Sequence, residues 1–248
     1  MRFRRFVSMV AALMSQITSS LSTVLLTLAA AHALSPIDFG YFSIMFSIYV
    51  ILLGIIRGLT SEVVIYHRAH LPTDELKKEI ELSTGGTVSI ALMASLLMAL
   101  AVLAIPDFPN EFAWLGIFLP GLLTQGHFRL MFNVAERSNE GLIIDLTCVA
   151  LMAGMISLGP AIGGPLGVIL WWGAPAALAS LASIFRLRTG LRIKAGSLWT
   201  WREIRLGRLY ATDFLISNTL SSGATIILGV VSGAIASGAL RAAQILLT

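Results

Sequence analysis

Seven apolar stretches, each 18 to 28 residues long, divide this chain at about 8–34, 39–66, 85–105, 113–133, 142–159, 167–185 and 209–231. Crossing about 30 Å of hydrocarbon takes about 20 mostly apolar residues in a helix. Backbone groups in lipid must be satisfied internally, so only helices and closed barrels cross. None of the stretches alternates apolar with polar residues as barrel strands do. The chain is therefore expected to be an all-α polytopic membrane protein. With 56% hydrophobic and 12% charged residues it carries too little charge to cover a soluble surface.

The connecting loops fix the expected orientation. With the N-terminus in the cytoplasm, 15 of the 17 Lys and Arg fall on the cytoplasmic side. They include Arg2, Arg4 and Arg5, then Arg68, Lys77 and Lys78, then Arg129 and Arg137, and seven between Arg186 and Arg208. The opposite loops, 35–38, 106–112, 160–166 and 232–238, hold Asp38, Asp107 and Glu111 but no Lys or Arg. This is the positive-inside pattern. It also accounts for the net charge of +4 without a nucleic-acid partner. Arg2 to Arg5 followed by an apolar run to Ala33 has the outline of a signal peptide. The length of the run, its many Ser and Thr, and the membrane that follows favour a first span.

Two cytoplasmic segments are longer than turns. Thr73, Asp74 and Glu75 form a helix N-cap signal, so a surface helix is expected to lead into the third span. Residues 191–208 are strongly basic and carry Trp199 and Trp201, as an interfacial elbow does. An ordinary basic loop remains an equal alternative. The expected organisation is a six-helix lobe over 1–190, the elbow over 191–208, and the start of a second lobe over 209–248. Residues 239–248 read as an eighth helix that is unfinished, as in a fragment or a truncated gene. A shift of 198 residues lays Ser19 on Ser217, Thr27 on Thr225 and Gly40 on Gly238, a faint echo of the repeats from which transporters are built.

No catalytic constellation is present. The Gly-rich stretch 159–167 lacks the strand and the Lys of a phosphate loop. Cys148 is the single cysteine, and His32, His67, His70 and His127 are scattered, so no metal and no cofactor are expected. The informative residues are charges at membrane depth, each costly unless paired or wet. Arg57 lies about 13 Å of helix rise from the inner end of its span. Glu62, five positions on, stands about 140° away round an α-helix, so the two are not expected to pair. Arg57 is either a cavity cation for an anionic substrate or the partner of another carboxylate.

Arg129 and Asp145 lie at equal offsets from a turn near residue 137. In an antiparallel hairpin equal offsets mean equal depth, so an ion pair bracing two helices is expected. Asp213, beside Tyr210 and Asn218, serves either a proton or cation path or the basic elbow. Gln16, Ser19, Thr23 and Thr27 recur at three- and four-residue steps, giving one polar face to a cavity or to a neighbouring helix.

Four stretches resemble a known family: Ala33–Phe42, Arg57–Glu62, Arg129 through Phe132 to Asp145, and Leu240–Gln244. They are similar to polysaccharide-export flippases of the multidrug/oligosaccharidyl-lipid/polysaccharide superfamily. The resemblance implies 12 to 14 helices in two lobes that rock around a central cavity, with the first and seventh helices leading the lobes. It implies a polyprenyl-diphosphate-linked oligosaccharide as substrate, met by cavity residues such as Arg57, Arg241, Gln16, Ser19, Thr23 and Asp213. It further implies a bacterial inner membrane, with glycosyltransferases or a polymerase of the same route as partners. The chain departs from the family in holding one lobe plus a seventh helix. A cation-coupled drug exporter of the superfamily is disfavoured because no acidic residue lies between Phe6 and Leu34. A membrane-embedded glycosyltransferase or ligase is disfavoured by the short outer loops. A non-transporting scaffold is the remaining alternative.

Overall fold

The computed structural model describes residues 2–105, 109–158 and 164–246, and their side chains except at 2–8, 73, 218–221 and 245–246. Asp107, the Gly-rich turn at 159–163, and the side chains of Arg2, Arg4, Arg5, Thr73 and Asn218 thus lie outside the described residues. Among the described residues every regular element is helical. In chain order these are α1 (Arg2–Ala33), α2 (Pro36–Ile56), a π-turn (Arg57–Ser61), α3 (Glu62–Arg68), α4 (Thr73–Ala104) and α5 (Glu111–Val134). Then follow α6 (Ser138–Ser157), α7 (Pro165–Leu187), α8 (Ile193–Arg202), α9 (Ile204–Ser232) and α10 (Ala234–Leu246). The chain is an all-α, multi-pass membrane protein.

Among the described residues five helices are long and apolar enough to cross a membrane, or six if α9, bent by 59° after Ser217, counts as one span. Each of the seven expected stretches forms a helix, but one of them is less apolar than the rest. That one is α5, which is 24 residues long but carries Gln125, His127 and Arg129. Those polar residues turn inward: α5 packs between α4 and α7 and also touches α2 and α6. Leu115, Leu119, Leu122, Leu123, Phe128 and Met131 of α5 are all fully buried.

Three boundaries differ from expectation. The surface helix and the third span are one 32-residue helix, α4, about 48 Å long and so longer than the hydrocarbon is thick. Its N-cap position is Pro72, in extended conformation, and not Thr73. The last helix begins at Ala234 rather than 239, directly after Gly233, whose φ of 86° is left-handed. At the start of α2 the local chemistry is simple. Ser35 Oγ accepts from the Asp38 N–H at 3.2 Å and donates to the Asp38 carboxylate at 2.8 Å, and Pro36 sets φ for the first turn.

The basic elbow is a helix, α8, docked on α4. A Cβ on Gly196 would lie 2.3 Å from Gly86 N, so the two backbones touch. Trp199 is buried and its Nε1–H donates to Glu79 at 2.8 Å, while Trp201 is exposed. Of the two tryptophans only Trp201 is placed for a headgroup interface. The first residues of α9, including Arg205 and Arg208, continue the basic segment as helix.

Helices α9 and α10 lie against α2. The crossing is close at glycines: a Cβ on Gly40 would fall 1.9 Å from Ala234 O, and one on Gly238 would fall 3.3 Å from Gly40 N. The two glycines matched by the 198-residue shift therefore meet. Ser237 Oγ–H donates to Gly40 O at 3.2 Å across the same crossing. Thr27 and Thr225, the second matched pair, are each fully buried.

Candidate functional site: a charged cluster among α1, α5 and α6

The cluster begins with the hairpin of α5 and α6. The turn between them is short because Glu136 adopts a left-handed φ of 57°, and its carboxylate accepts from Arg68 Nη2 at 2.9 Å. From that turn Arg129 and Asp145 each lie about 12 Å along their helices, so they reach the same depth. Arg129 Nε donates to Asp145 Oδ2 at 3.0 Å and Nη2 donates to Oδ1 at 3.2 Å. The bond is bidentate, the strong form of this pair.

Two further donors complete the carboxylate. Gln125 Nε2 donates to Oδ1 at 2.9 Å, and Ser15 Oγ–H donates to Oδ2. Arg129 Nη1 also donates to Ser19 Oγ at 2.5 Å. Asp145 is only 4% exposed, so this many donors is what a buried carboxylate requires. The result staples α1 to the hairpin. Helix α1 otherwise touches mainly α6, and the apolar side chains Leu13, Ile17, Leu21 and Leu28 on its other side are exposed.

Three of the four residues of the expected polar face of α1, Ser19, Thr23 and Thr27, lie on its inner side, and Gln16 does not. Its buried stripe runs through Ala11, Ser15, Thr18, Leu26, Thr27 and Ala30. Ser19 and Thr23 flank that stripe and line the cavity. Gln16 stands about 100° from Ser15 and is exposed, so it is not a cavity residue. Ser15, Thr18 and Gln125 were the residues missed. The cavity has a volume of about 60 Å³ and is lined on its aromatic side by Phe46, Tyr49 and Trp172. Tyr49 meets Trp172 edge-on at 4.6 Å, and Phe46 stacks on Trp172 at 5.4 Å. This space suits a few waters.

Arg241 of α10 does not line this cavity but touches one of its lining residues, Phe46. Its guanidinium carbon lies 4.3 Å from the centre of the Phe46 ring. Its Nε is buried without a hydrogen-bond partner, and no carboxylate pairs with it among the described residues. A cation over an aromatic face is attracted to the ring. That contact does not replace the one hydrogen bond the Nε–H would otherwise donate.

Arg57 corrects the expectation drawn from α-helical geometry. Its Nε donates to Glu62 Oε1 at 2.7 Å. The residues between them form the π-turn, closed by the Glu62 N–H to the Arg57 carbonyl. A π-turn takes about five residues to come round where an α-turn takes four, so positions i and i+5 share a face. The pair is partly solvent-accessible, 47% for Arg57 and 24% for Glu62. The turn is pinned from inside: Thr60 Oγ1 and Thr87 Oγ1 lie 2.9 Å apart, and Ser61 Oγ lies 2.9 Å from His127 Nδ1. His127 also meets Thr84 Oγ1 at 3.3 Å and is 1% exposed. This buried Ser–His–Thr contact braces α5 against the π-turn and α4. Asp213 is exposed on α9, away from the cluster.

Among the described residues no group of three His, Cys, Asp or Glu is arranged to hold a metal. What the arrangement can do is bind and position, through one satisfied charge pair, one unpaired cation and a small polar space. No protein-family model matches this chain, and no curated protein or solved structure is significantly similar to it.

Proposed function

We propose that this membrane protein is a transporter of the flippase type, moving an anionic amphiphile whose head is a diphosphate-linked oligosaccharide and whose tail is a polyprenyl chain. The observation that supports it most is Arg241. Arg129 is neutralised by Asp145 and Arg57 by Glu62, but Arg241 has no carboxylate among the described residues. A cation at membrane depth is expensive, and one left unpaired is held for an anion that arrives from outside the protein. A diphosphate offers several acceptor oxygens to a planar guanidinium. The membrane setting favours a lipid-borne anion over a free one.

The orientation proposed is N-terminus cytoplasmic, in a bacterial inner membrane, with α8 and the basic segment on the cytoplasmic face. The cavity of about 60 Å³ admits water and no sugar, so this is a closed form and transport takes a second, open one. Coupling to a cation through Asp145 is disfavoured because four donors already saturate that carboxylate.

The test is genetic. Arg241→Ala and Arg241→Lys replace the chromosomal copy, and surface polysaccharide is measured alongside the amount of inserted protein. Expected is loss of export with Ala, partial export with Lys, and normal insertion in both. Full export with Arg241→Ala would remove the cation from the site.

A further inference from the structure

A second cavity lies outside the polar cluster, on the lipid-facing side between α6 and α7. It is a groove of about 450 Å³. Its walls are Ile143 and Leu151 of α6 and Leu178 and Phe185 of α7, all four exposed, and its floor is made by smaller residues such as Ala179 and Cys148. Along α7 it runs from Pro175 to Arg186. Pro175 sits near the middle of α7, which spans Pro165–Leu187, and Arg186 is in its last turn.

From Pro175 to Arg186 the helix rises about 16 Å. The hydrocarbon is about 30 Å thick, so this is the depth of one leaflet. The groove is thus an apolar slot from midplane to headgroup level, ending in a cation. Arg186 is exposed and makes no ion pair within 4 Å among the described residues; the charge of Glu140, held by Arg137 at 2.6 Å, lies near enough to feel it. Arg188, exposed at the end of α7, adds a second positive charge there. An acyl chain matches the slot in length and polarity, and a phosphate matches Arg186 in charge.

We propose that this groove is a binding site for one anionic phospholipid of the leaflet on the basic side, its acyl chain between α6 and α7 and its phosphate on Arg186. The floor residue Cys148 also lines the polar cavity, so the lipid would lie against the charged cluster with one side chain between them. The site does not depend on what the protein transports.

The test uses the whole chain in nanodiscs containing phosphatidylglycerol that carries a diazirine in its acyl chain. After photolysis, crosslinks are mapped by mass spectrometry. Expected are crosslinks within 138–157 and 165–187 around Leu151 and Leu178. Arg186→Gln should lower them about five-fold, the weight of one basic residue at an anionic surface. Ala182→Trp, which fills the groove and keeps the cation, should lower them as well. Phosphatidylglycerol should also slow modification of Cys148 by a lipid-soluble maleimide in the wild type and not in Arg186→Gln. Equal crosslinking by a phosphatidylcholine probe, or no effect of either variant, would mean an unselective lipid annulus and overturn the site. Crosslinks from the groove to a second copy of the chain would overturn it too.

Discussion

Arg129 holds Asp145 through two parallel hydrogen bonds of 3.0 and 3.2 Å, at the same depth on neighbouring helices. Removing one partner strands the other in a low-dielectric interior. Asp145→Ala should therefore cost about 3–5 kcal/mol. Adding Arg129→Ala to that variant should restore part of the loss. Thermal unfolding in detergent measures both, and simple additivity of the two single losses would show that the pair is not coupled.

The π-turn gives a ranking. The Arg57–Glu62 pair is partly exposed, so Glu62→Gln should cost no more than about 1 kcal/mol. Ser61→Ala leaves buried His127 short of a partner and should cost about 1–3 kcal/mol. The same unfolding measurement, run on both variants, contradicts the description of the turn if Glu62→Gln proves the more damaging.

Much of the bundle was legible because lipid enforces it. Long apolar runs separated by charged turns admit few other structures. The Arg129–Asp145 pair was legible by arithmetic alone, since a tight antiparallel hairpin turns equal sequence offsets into equal depth. The Arg57–Glu62 pair was not, because one extra residue in a turn shifts the register by about 100°, and α-helical periodicity carries no mark of it. Gln16 misled for a related reason: its polarity suggested the cavity, while the stripe of Ser15 and Thr18 one step away was the buried one. Central α5 was legible as an apolar stretch, and its polar residues, which lower its hydropathy, serve the core. Trp199 and Trp201 look alike in sequence, and only the Gly86–Gly196 contact decides which of them turns inward.

The α2–α10 crossing should be intolerant of volume. Gly40→Ala places a methyl carbon within 1.9 Å of a backbone oxygen of Ala234, which no rotamer change relieves. A loss of about 1–3 kcal/mol is expected, with faster proteolysis at the Gly233 turn. Gly154, in open space on α6, is the control. Gly154→Ala should be neutral or stabilise by about 0.5–1 kcal/mol. Equal effects at the two positions would argue against close approach of α10.

Orientation is open to a direct chemical check in a Cys148→Ser background. Gly190→Cys lies in open space at the basic end of α7, and Ile37→Cys is exposed at the opposite end of α2. A membrane-impermeant maleimide should label Gly190→Cys only in inverted vesicles and Ile37→Cys only in intact cells. The reverse pattern would invert the protein and remove the proposed direction of transport.

The most direct measurement is the affinity of a polyprenyl diphosphate for the purified chain in nanodiscs, by native mass spectrometry, in the wild type and in Arg241→Ala. Losing hydrogen bonds from a charged donor should weaken binding about ten- to a hundred-fold, with Arg241→Lys between the two. Indistinguishable affinities for wild type and Arg241→Ala, or no binding to either, would contradict an anion-holding role for Arg241, whose Nε is buried without a partner.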